Sequence, residues 1–250
     1  MGASGSTGAI STGASIVFMK LFLIPCPIAE NTSSEVLSPQ ILAAIQQTTH
    51  FLVENVRTAR RFISELKLGI QIDSLVFEVL DKDTQPKKVT DFYKKYSSVE
   101  YIGVISEAGC PGVADPGALA VSIAQQQNIE VIPLVGPSSI LLGLMGSGFS
   151  GQSFAFIGYL PIDKAARIRK IEQLDREVAK WGQTQIFIET PYRNNAMLED
   201  LIAQCAPDSL ICIACDVTAP TGFVQTKKAS DWAKAQPDLH KKPCIFLLGK

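Results

Sequence analysis

The sequence predicts an α/β protein of two domains, with a mainly parallel sheet in the N-terminal domain and a mixed sheet in the C-terminal domain. Short, continuously apolar runs alternate with helical patterns from residue 21 to about residue 134. Strands of this kind are typical of a parallel sheet covered by helices on both faces. After Gly136-Pro137 the strands are fewer and more widely spaced, which indicates a second α/β domain. We therefore expect an N-terminal domain over 19–135 and a C-terminal domain over 136–250.

Composition and charge exclude several classes of protein. Hydrophobic residues make up 46% of the 250 residues and charged residues 19%, a balance that excludes an intrinsically disordered chain. The formal net charge of −1 gives no overall field that would attract a polyanion, so binding to nucleic acid would need a local basic patch. No apolar run reaches the ~18 residues that span a bilayer, and we expect no membrane partner.

Residues 1–18 are expected to be an expression leader. Gly, Ser, Ala and Thr dominate them, and they lack the basic region and long apolar stretch of a secretory signal. Six cysteines follow, which we expect to be free thiols in a reducing, cytoplasmic location. Cys212 and Cys215 form a C-x-x-C pair inside a buried-strand pattern, and no second pair has the spacing of a zinc site, so no metal is expected.

Apolar patterning and end signals predict the elements in order. In the N-terminal half, Ser38-Pro39 combines an N-cap residue with a first-position proline and so marks a helix start. Strands are predicted in this half over 21–24, 51–53, 75–79, 101–105 and 130–134, with further helices over 57–66, 89–96 and 119–126. In the other half, strands are predicted over 154–158, 185–189, 210–215 and 244–248, and helices over 138–145, 164–181 and 196–205.

A literal G-x-G-x-x-G motif occurs at Gly146-Ser147-Gly148-Phe149-Ser150-Gly151. In a dinucleotide site this motif follows a strand and opens a helix, whose N-terminus receives the pyrophosphate. Here a predicted helix precedes the motif and a strand follows it. We therefore interpret it as a flexible connection and not as a nucleotide site.

Three loops that follow predicted strands carry the strongest signal for a ligand site. The stretch 106–117 contains three glycines and two prolines, which allow close backbone approach to a ligand and stiffen the turn. Gly136-Pro137-Ser138-Ser139 follows the next strand, and Pro25-Cys26-Pro27-Ile28 follows the first. Because ligands of open parallel sheets bind beyond the carboxyl ends of the strands, we expect the three turns to converge on one rim. A purely structural loop is the alternative for 106–117.

These loops resemble those of the tetrapyrrole methylase family, and most of all its branch of ribosomal small-subunit RNA 2′-O-ribose methyltransferases. Six patterns of the family have counterparts in this chain. P-T-P-I-G-N corresponds to Pro25-Cys26-Pro27-Ile28-Ala29-Glu30, E-D-T-R to Glu54-Asn55-Val56-Arg57, and S-D-A-G-T-P with D-P-G to Ser106-Glu107-Ala108-Gly109-Cys110-Pro111 with Asp115-Pro116-Gly117. P-L-P-G-P corresponds to Pro133-Leu134-Val135-Gly136-Pro137, G-F-L-P to Gly158-Tyr159-Leu160-Pro161, and Y-E-S-T-H-R to Ile188-Glu189-Thr190-Pro191-Tyr192-Arg193. The resemblance covers residues 20–250, in order and at near-family spacing.

The resemblance implies two α/β domains, commonly in a homodimer, with S-adenosylmethionine in the cleft between them and no required metal. By position it implies that the cofactor lies against the first loop, the glycine-rich loop, the start of the second domain and the residues before the last strand. The implied cofactor-binding residues are Pro25, Pro27, Ala108, Gly109, Cys110, Val113, Ser138, Ser139, Pro243 and Cys244.

The implied chemistry needs little from the protein beyond alignment, because a sulfonium methyl group is already activated. A ribose hydroxyl is a poor nucleophile and would also need a general base. The candidate bases are Glu54, Glu107 and Asp115. Each has a structural alternative: a partner of Arg57 for Glu54, a turn residue for Glu107 and a helix cap for Asp115.

Several positions depart from the family and keep the acceptor open. The RNA branch has an H-D-H-N-like stretch after its third strand, where this chain has Leu80-Asp81-Lys82-Asp83-Thr84, and Asn55 replaces an acidic residue. The basic stretch from Lys164 to Lys170 favours RNA, although it also fits the solvated face of a helix. We interpret the chain as a methyltransferase of small-subunit ribosomal RNA. The alternatives are a methyltransferase of a tetrapyrrole or other metabolite and a non-catalytic protein that binds S-adenosylmethionine.

Overall fold

The computed structural model describes residues 18–250. Of the predicted expression leader, residues 1–17 lie outside the described residues. Within 18–250 the chain forms two five-stranded sheets with helices around them, and the sheets follow one another along the chain. This is the predicted α/β architecture.

The elements alternate regularly in the first half and less regularly in the second. The strands are β1 (Lys20–Ile24), β2 (His50–Val53), β3 (Val76–Val79), β4 (Tyr101–Ile105), β5 (Glu130–Pro133), β6 (Phe154–Tyr159), β7 (Thr184–Ile188), β8 (Leu210–Cys215), β9 (Phe223–Lys228) and β10 (Cys244–Gly249). The helices are α1 (Ser33–Val36), α2 (Pro39–Gln47), α3 (Val56–Glu65), α4 (Pro86–Lys95), α5 (Gly117–Gln126), α6 (Ser139–Ser147), α7 (Lys164–Trp181), α8 (Asn194–Gln204) and α9 (Ala229–Trp232), with a short 3₁₀ turn over Ile72–Ser74.

The first sheet is entirely parallel, in the order β3-β2-β4-β1-β5. Both of its faces are buried because successive residues of a strand point to opposite sides. In β1, Phe22 packs into the core under α2 and α3, and Leu21 packs into the core under α4 and α5. This double burial explains why the strands read as continuous apolar runs.

The second sheet is mixed, as predicted, in the order β6-β7-β10-β8-β9. Strands β6 and β7 are parallel, and the other pairs are antiparallel. Phe187 and Phe246 stack on the face that α7 and α8 cover, while Ile186 and Leu247 face α6. The C-x-x-C pair lies within β8, both thiols are free and buried, and the position in a core strand is confirmed.

The structure contains elements that the sequence analysis did not predict: β9, the short helices α1 and α9, and the 3₁₀ turn. Strand β9 is an edge strand whose sequence, Phe223 to Lys228, ends in polar and charged residues and therefore lacks a buried apolar run. The G-x-G-x-x-G stretch joins the end of α6 to β6, in the order that excludes a dinucleotide site. Among residues 18–250, no helix has both the length and the apolar character needed to cross a membrane.

Candidate active site between the two sheets

The three loops singled out in the sequence meet in space. Cys26 and Gly109 exchange two backbone hydrogen bonds, of 2.9 and 3.1 Å, which join the first loop to the glycine-rich loop. The Cys110 thiol donates to the carbonyl oxygen of Pro137 at 3.4 Å and joins the glycine-rich loop to the third. A Cβ at Gly136 would collide with the ring of Pro25, so the first and third loops are also in contact. The predicted convergence of the three turns is confirmed.

These loops form one side of a cavity of about 760 Å³, and the second sheet forms the other. Ligand pockets usually measure roughly 300–1,000 Å³, so a nucleoside with an amino-acid tail fits. Small residues such as Gly109, Ala114 and Ala214 line it and leave room for backbone contacts. The N-terminus of α6 also lies at the wall, where its partial positive charge favours a carboxylate. The residues present therefore fit the implied cofactor.

Most of the residues expected to hold the cofactor lie on the wall of this cavity: Ala108, Gly109, Cys110, Val113, Ser138, Ser139, Pro243 and Cys244. Pro25 and Pro27 are not among the lining residues. Pro25 packs against Gly136, and Pro27 lines a smaller neighbouring pocket of about 230 Å³. The first loop instead presents Ile28 and Ala29 to the cavity.

Cys110 maintains the hydrogen bond between the glycine-rich loop and the third loop with a residue type that differs from the family pattern. Its thiol stands where the family pattern has a threonine, and both side chains can donate a hydrogen bond. Burial raises the pKa of the Cys110 thiol, which therefore stays protonated and able to donate to Pro137. Gly109 beside it has φ of +69° and approaches both Ile28 and Pro137, so a side chain there would strain the bridge.

The three candidate bases all line the cavity, but their contacts differ. One oxygen of Asp115 accepts from the backbone N–H groups of Gly112 and Gly117, at 2.9 and 2.7 Å, and so closes the turn before α5. The Thr58 hydroxyl donates to Glu107 at 2.5 Å and ties it to α3. Within residues 18–250, Glu54 forms no ion pair with Arg57.

The carboxyl of Glu54 lies at the cavity wall among other acidic groups. Partial burial raises the pKa of its carboxyl, and the negative charges of Asp115, Glu107 and Asp81 raise it further. These acidic groups come together because parallel strands end at one edge of the sheet, where residues after β2, β3 and β4 lie side by side. Asn55, in place of the family's acidic residue, caps α3 by accepting from the N–H of Arg57 at 2.9 Å.

Comparisons with known proteins agree with this geometry. Among family models, none matches the chain. A ribosomal RNA small subunit methyltransferase I of Vibrio cholerae is 28% identical over 231 residues, which cover 91% of this chain and 76% of that protein. The protein of the same name in Xylella fastidiosa is 30% identical over 165 residues, which cover 66% of this chain and 57% of that protein.

Two solved structures share the whole fold. The methyltransferase CobJ superposes with a TM-score of 0.62 at 18% identity, over 93% of this chain and 94% of its own. The uroporphyrin-III C-methyl transferase from Thermus thermophilus, complexed with S-adenyl homocysteine, superposes with a TM-score of 0.57 at 13% identity, over 92% of this chain and 97% of its own. The chain therefore has the fold of these two methyltransferases, and its sequence is similar to those of the ribosomal RNA small subunit methyltransferases I.

The cavity also has lining residues that were not identified as site residues from the sequence. Glu189 lines the cavity with its side chain only 1% exposed, and it accepts from Arg193 Nη2 at 2.5 Å and from the N–H of Thr190 at 2.6 Å. The loop after β8 adds Asp216, Val217 and Ala219 to the wall. Glu189 lies in a quoted family pattern, which was a usable signal, whereas the loop after β8 had none.

The basic stretch from Lys164 to Lys170 divides into a structural and an exposed part. Arg167 is buried and forms an ion pair with Asp200, with Nε and Nη2 at 2.8 and 2.7 Å from Oδ2. Its Nη1 also donates to the Ile162 carbonyl at 2.9 Å. Lys164 and Arg169 are exposed, and the Lys164 ammonium lies 4.0 Å from Asp200 Oδ1.

Proposed function

We propose that the chain is an S-adenosylmethionine-dependent methyltransferase that methylates a ribose of small-subunit ribosomal RNA. The cavity between the two sheets carries the proposal, because three loops from parallel strands and the wall of the second sheet enclose a volume suited to this cofactor. The names of the relatives support transfer of a methyl group to small-subunit ribosomal RNA. The neighbour complexed with S-adenyl homocysteine supports the cofactor.

The cofactor site is proposed at Ala108, Gly109, Cys110 and Val113 on one side and at Ser138, Ser139, Pro243 and Cys244 on the other. When bound, S-adenosylmethionine supplies an activated methyl group. The contribution of the chain is to orient the reactants and to exclude water from the cavity, which is the main source of rate for such a transfer. The rigid contacts among the three loops hold this geometry before the ligand arrives.

Among the three candidate bases, we propose Glu54 as the acceptor of the proton from the ribose hydroxyl. A base works best when its pKa lies near the working pH, and the pKa of Glu54 is raised toward that range. Asp115 already closes a turn through two backbone hydrogen bonds, and Glu107 already binds Thr58. We therefore assign a structural role in the loop to Asp115. We assign to Glu107 the role of a negative charge that helps to raise the pKa of Glu54.

A small-molecule acceptor is the second candidate. It is favoured by the two structural neighbours, a methyltransferase CobJ and a uroporphyrin-III C-methyl transferase. A cavity of about 760 Å³ lined by residues of both sheets also has the size of a metabolite pocket. The missing His of the 80–84 stretch leaves the third interpretation, cofactor binding without transfer, as a further outcome of the test.

The test offers two acceptors at once. Purified protein is incubated with methyl-labelled S-adenosylmethionine, with small ribosomal subunits from cells that lack the protein and with a metabolite extract. We expect label in the RNA, and protection of one ribose from alkaline cleavage. Label in metabolite alone would establish the second candidate, and cofactor binding without label in either would contradict catalysis.

We also propose that the protein forms a homodimer in the cytoplasm, where its proposed substrate is found. Support comes from solvent-exposed apolar side chains on α6 and the preceding loop: Val135 and Met145 are each 78% exposed. Leu141, one helical turn before Met145, lies on the same face of α6 and is also exposed. Light scattering should give twice the chain mass, and Met145→Lys should shift the protein toward the monomer.

A further inference from the structure

An exposed aromatic ring, Tyr192, stands beside the mouth of the cavity. It lies in the turn between β7 and α8 and is 69% exposed. Its neighbour Pro191 lines the cavity, as does Lys241 of the loop before β10. Tyr159, a second exposed tyrosine, also lines the cavity from the end of β6. Two exposed tyrosines therefore lie at this end of the second sheet.

The ring of Tyr192 sits on a backbone that is fixed from several sides. The N–H of Lys241 donates to the Pro191 carbonyl at 2.9 Å. Asn194, which is fully buried, donates to the Lys242 carbonyl at 2.6 Å. Asn195 accepts from the N–H of Leu239 at 2.7 Å, and Leu239 is itself buried in the core. The turn that carries Tyr192 and the loop before β10 thus form one rigid unit.

The surroundings of the ring combine a stacking surface with positive charge. The His240 ring lies edge-on to Tyr192, with centroids 5.9 Å apart and planes at 74°. The Lys241 ammonium is 5.9 Å from the centre of the Tyr192 ring. Lys242 is exposed in the same loop. A flat ring beside cations suits a nucleotide, because the base can stack on the ring and the cations attract the negatively charged phosphate.

We infer that Tyr192, with His240 and Lys241, forms a platform on which an unpaired RNA nucleotide next to the methylated one stacks. This inference rests on the proposed function. An aromatic ring can stack only on a base whose own face is free, so the platform fits a single-stranded or extruded segment and not a continuous duplex. Because the hydrogen bonds to Asn194 and Asn195 fix the turn in advance, little conformational freedom is lost when RNA binds.

The chain contains a matched control for this platform. Trp181 at the end of α7 is also 69% exposed and also has a lysine, Lys180, over its ring at 4.5 Å. It lies just before β7 begins, whereas Tyr192 lies just after β7 ends, so the two rings are at opposite ends of this strand. An aromatic ring with a nearby cation is thus available both at the cavity mouth and away from it.

The experiment compares Tyr192→Ala, Tyr192→Phe and Trp181→Ala with the unchanged protein. Affinity for a short single-stranded oligoribonucleotide and for the duplex of the same sequence is measured by fluorescence anisotropy, and affinity for S-adenosylhomocysteine by calorimetry. We expect Tyr192→Ala to bind the single strand about tenfold more weakly, because a stacked ring is lost. Its cofactor affinity should be unchanged, since Tyr192 is not on the cavity wall. Tyr192→Phe should bind like the unchanged protein, because the ring alone stacks, and Trp181→Ala should also bind like it.

Equal binding by Tyr192→Ala and the unchanged protein, or a comparable loss in Trp181→Ala, would overturn the platform. So would a preference of the unchanged protein for the duplex. Label transfer to small ribosomal subunits separates this inference from the proposed function. Transfer whose KM is the same in Tyr192→Ala leaves the function intact and contradicts the platform. No transfer by the unchanged protein, together with the tenfold binding loss, supports stacking of single-stranded RNA on Tyr192 but contradicts the function and, with it, a position next to a methylated nucleotide.

Discussion

At the scale of single residues, the central feature is the carboxylate group of Glu54 among other acidic residues. Partial burial raises its pKa, and the negative charges of its neighbours after β3 and β4 raise it further. Groups with shifted pKa values at a cavity are frequent in active sites. The cost of this arrangement falls on folding, because an ionised Glu54 is less favourable in the folded protein than in the unfolded chain.

The variant Glu54→Gln should separate the effect of the carboxylate on methyl transfer from its effect on folding stability. We expect methyl transfer to fall by about 10²-fold or more, the usual contribution of a general base. In the unchanged protein, the rate should rise with pH as Glu54 loses its proton, with a midpoint above the ordinary value of 4.5 for a glutamate.

The stability of Glu54→Gln should change in the opposite direction. Because the folded-state pKa is the higher one, ionisation costs stability above it, and the cost vanishes below the unfolded-state pKa. The variant should therefore be more stable than the unchanged protein at neutral pH, by less than about 1 kcal/mol for so exposed a group, and equal to it below about pH 4. Urea unfolding at both pH values measures this, and an unchanged rate with equal stability would argue against the assignment.

Cys110 gives a second residue-scale prediction. Cys110→Ser keeps a donor for the Pro137 carbonyl and should retain both stability and cofactor affinity. Cys110→Val has similar volume but no donor, and we expect it to lose about 1 kcal/mol of unfolding free energy, the usual net value of a hydrogen bond. Equal denaturation midpoints for the two variants would show that the thiol does not bridge the loops.

At the scale of elements, the contact between the first and third loops defines the rim of the cavity. Gly136→Ala forces a methyl group into the ring of Pro25 and should displace one loop from the other. We expect a loss of about 1–3 kcal/mol in stability, as for overpacking, and cofactor binding weaker by about tenfold or more. Gly151→Ala is the matched control, because nothing lies within 4 Å of the added methyl group. Calorimetric titration of both variants with S-adenosylhomocysteine makes the comparison, and equal affinities would be inconsistent with this rim.

Disrupting the ion pair between α7 and α8 tests whether the basic stretch contains both a structural and an exposed part. Arg167→Ala leaves Asp200 buried without its main partner, and we expect a loss of about 3 kcal/mol in unfolding free energy. Arg169→Ala, on the exposed face of the same helix, should stay within about 0.5 kcal/mol of the unchanged protein. Thermal unfolding of the two variants measures the difference, and similar losses would contradict a structural role confined to Arg167.

The sequence predicted elements best where burial determines them. Strands β4 and β8 and helix α7 have the predicted bounds, because their apolar residues must face a core. Strand β9 was missed because it lies at the edge of its sheet and carries lysines. The loop after β8 was missed for another reason: Asp216 and Thr218 adopt positive φ angles of 48° and 77°, which their residue types do not signal.

At the scale of the whole molecule, the cavity arises from two sheets that follow one another in the chain. The convergence of the loops after β1, β4 and β5 could be predicted because parallel strands end at one edge. The position of Pro25 behind that edge could not, because it depends on the contact with Gly136, which is far away in sequence. We propose residue 135 as the domain boundary, since it lies between β5 of the first sheet and α6, which packs on the second.

A crystal structure of the protein grown with S-adenosylhomocysteine would show whether the cofactor site lies between the two sheets. We predict that the ligand lies in the cavity between the sheets, in contact with Gly109 and Cys110 on one side and with Ser138 on the other. A ligand bound elsewhere on the protein, with side chains closing the space between the sheets, would contradict a cofactor site in this cavity.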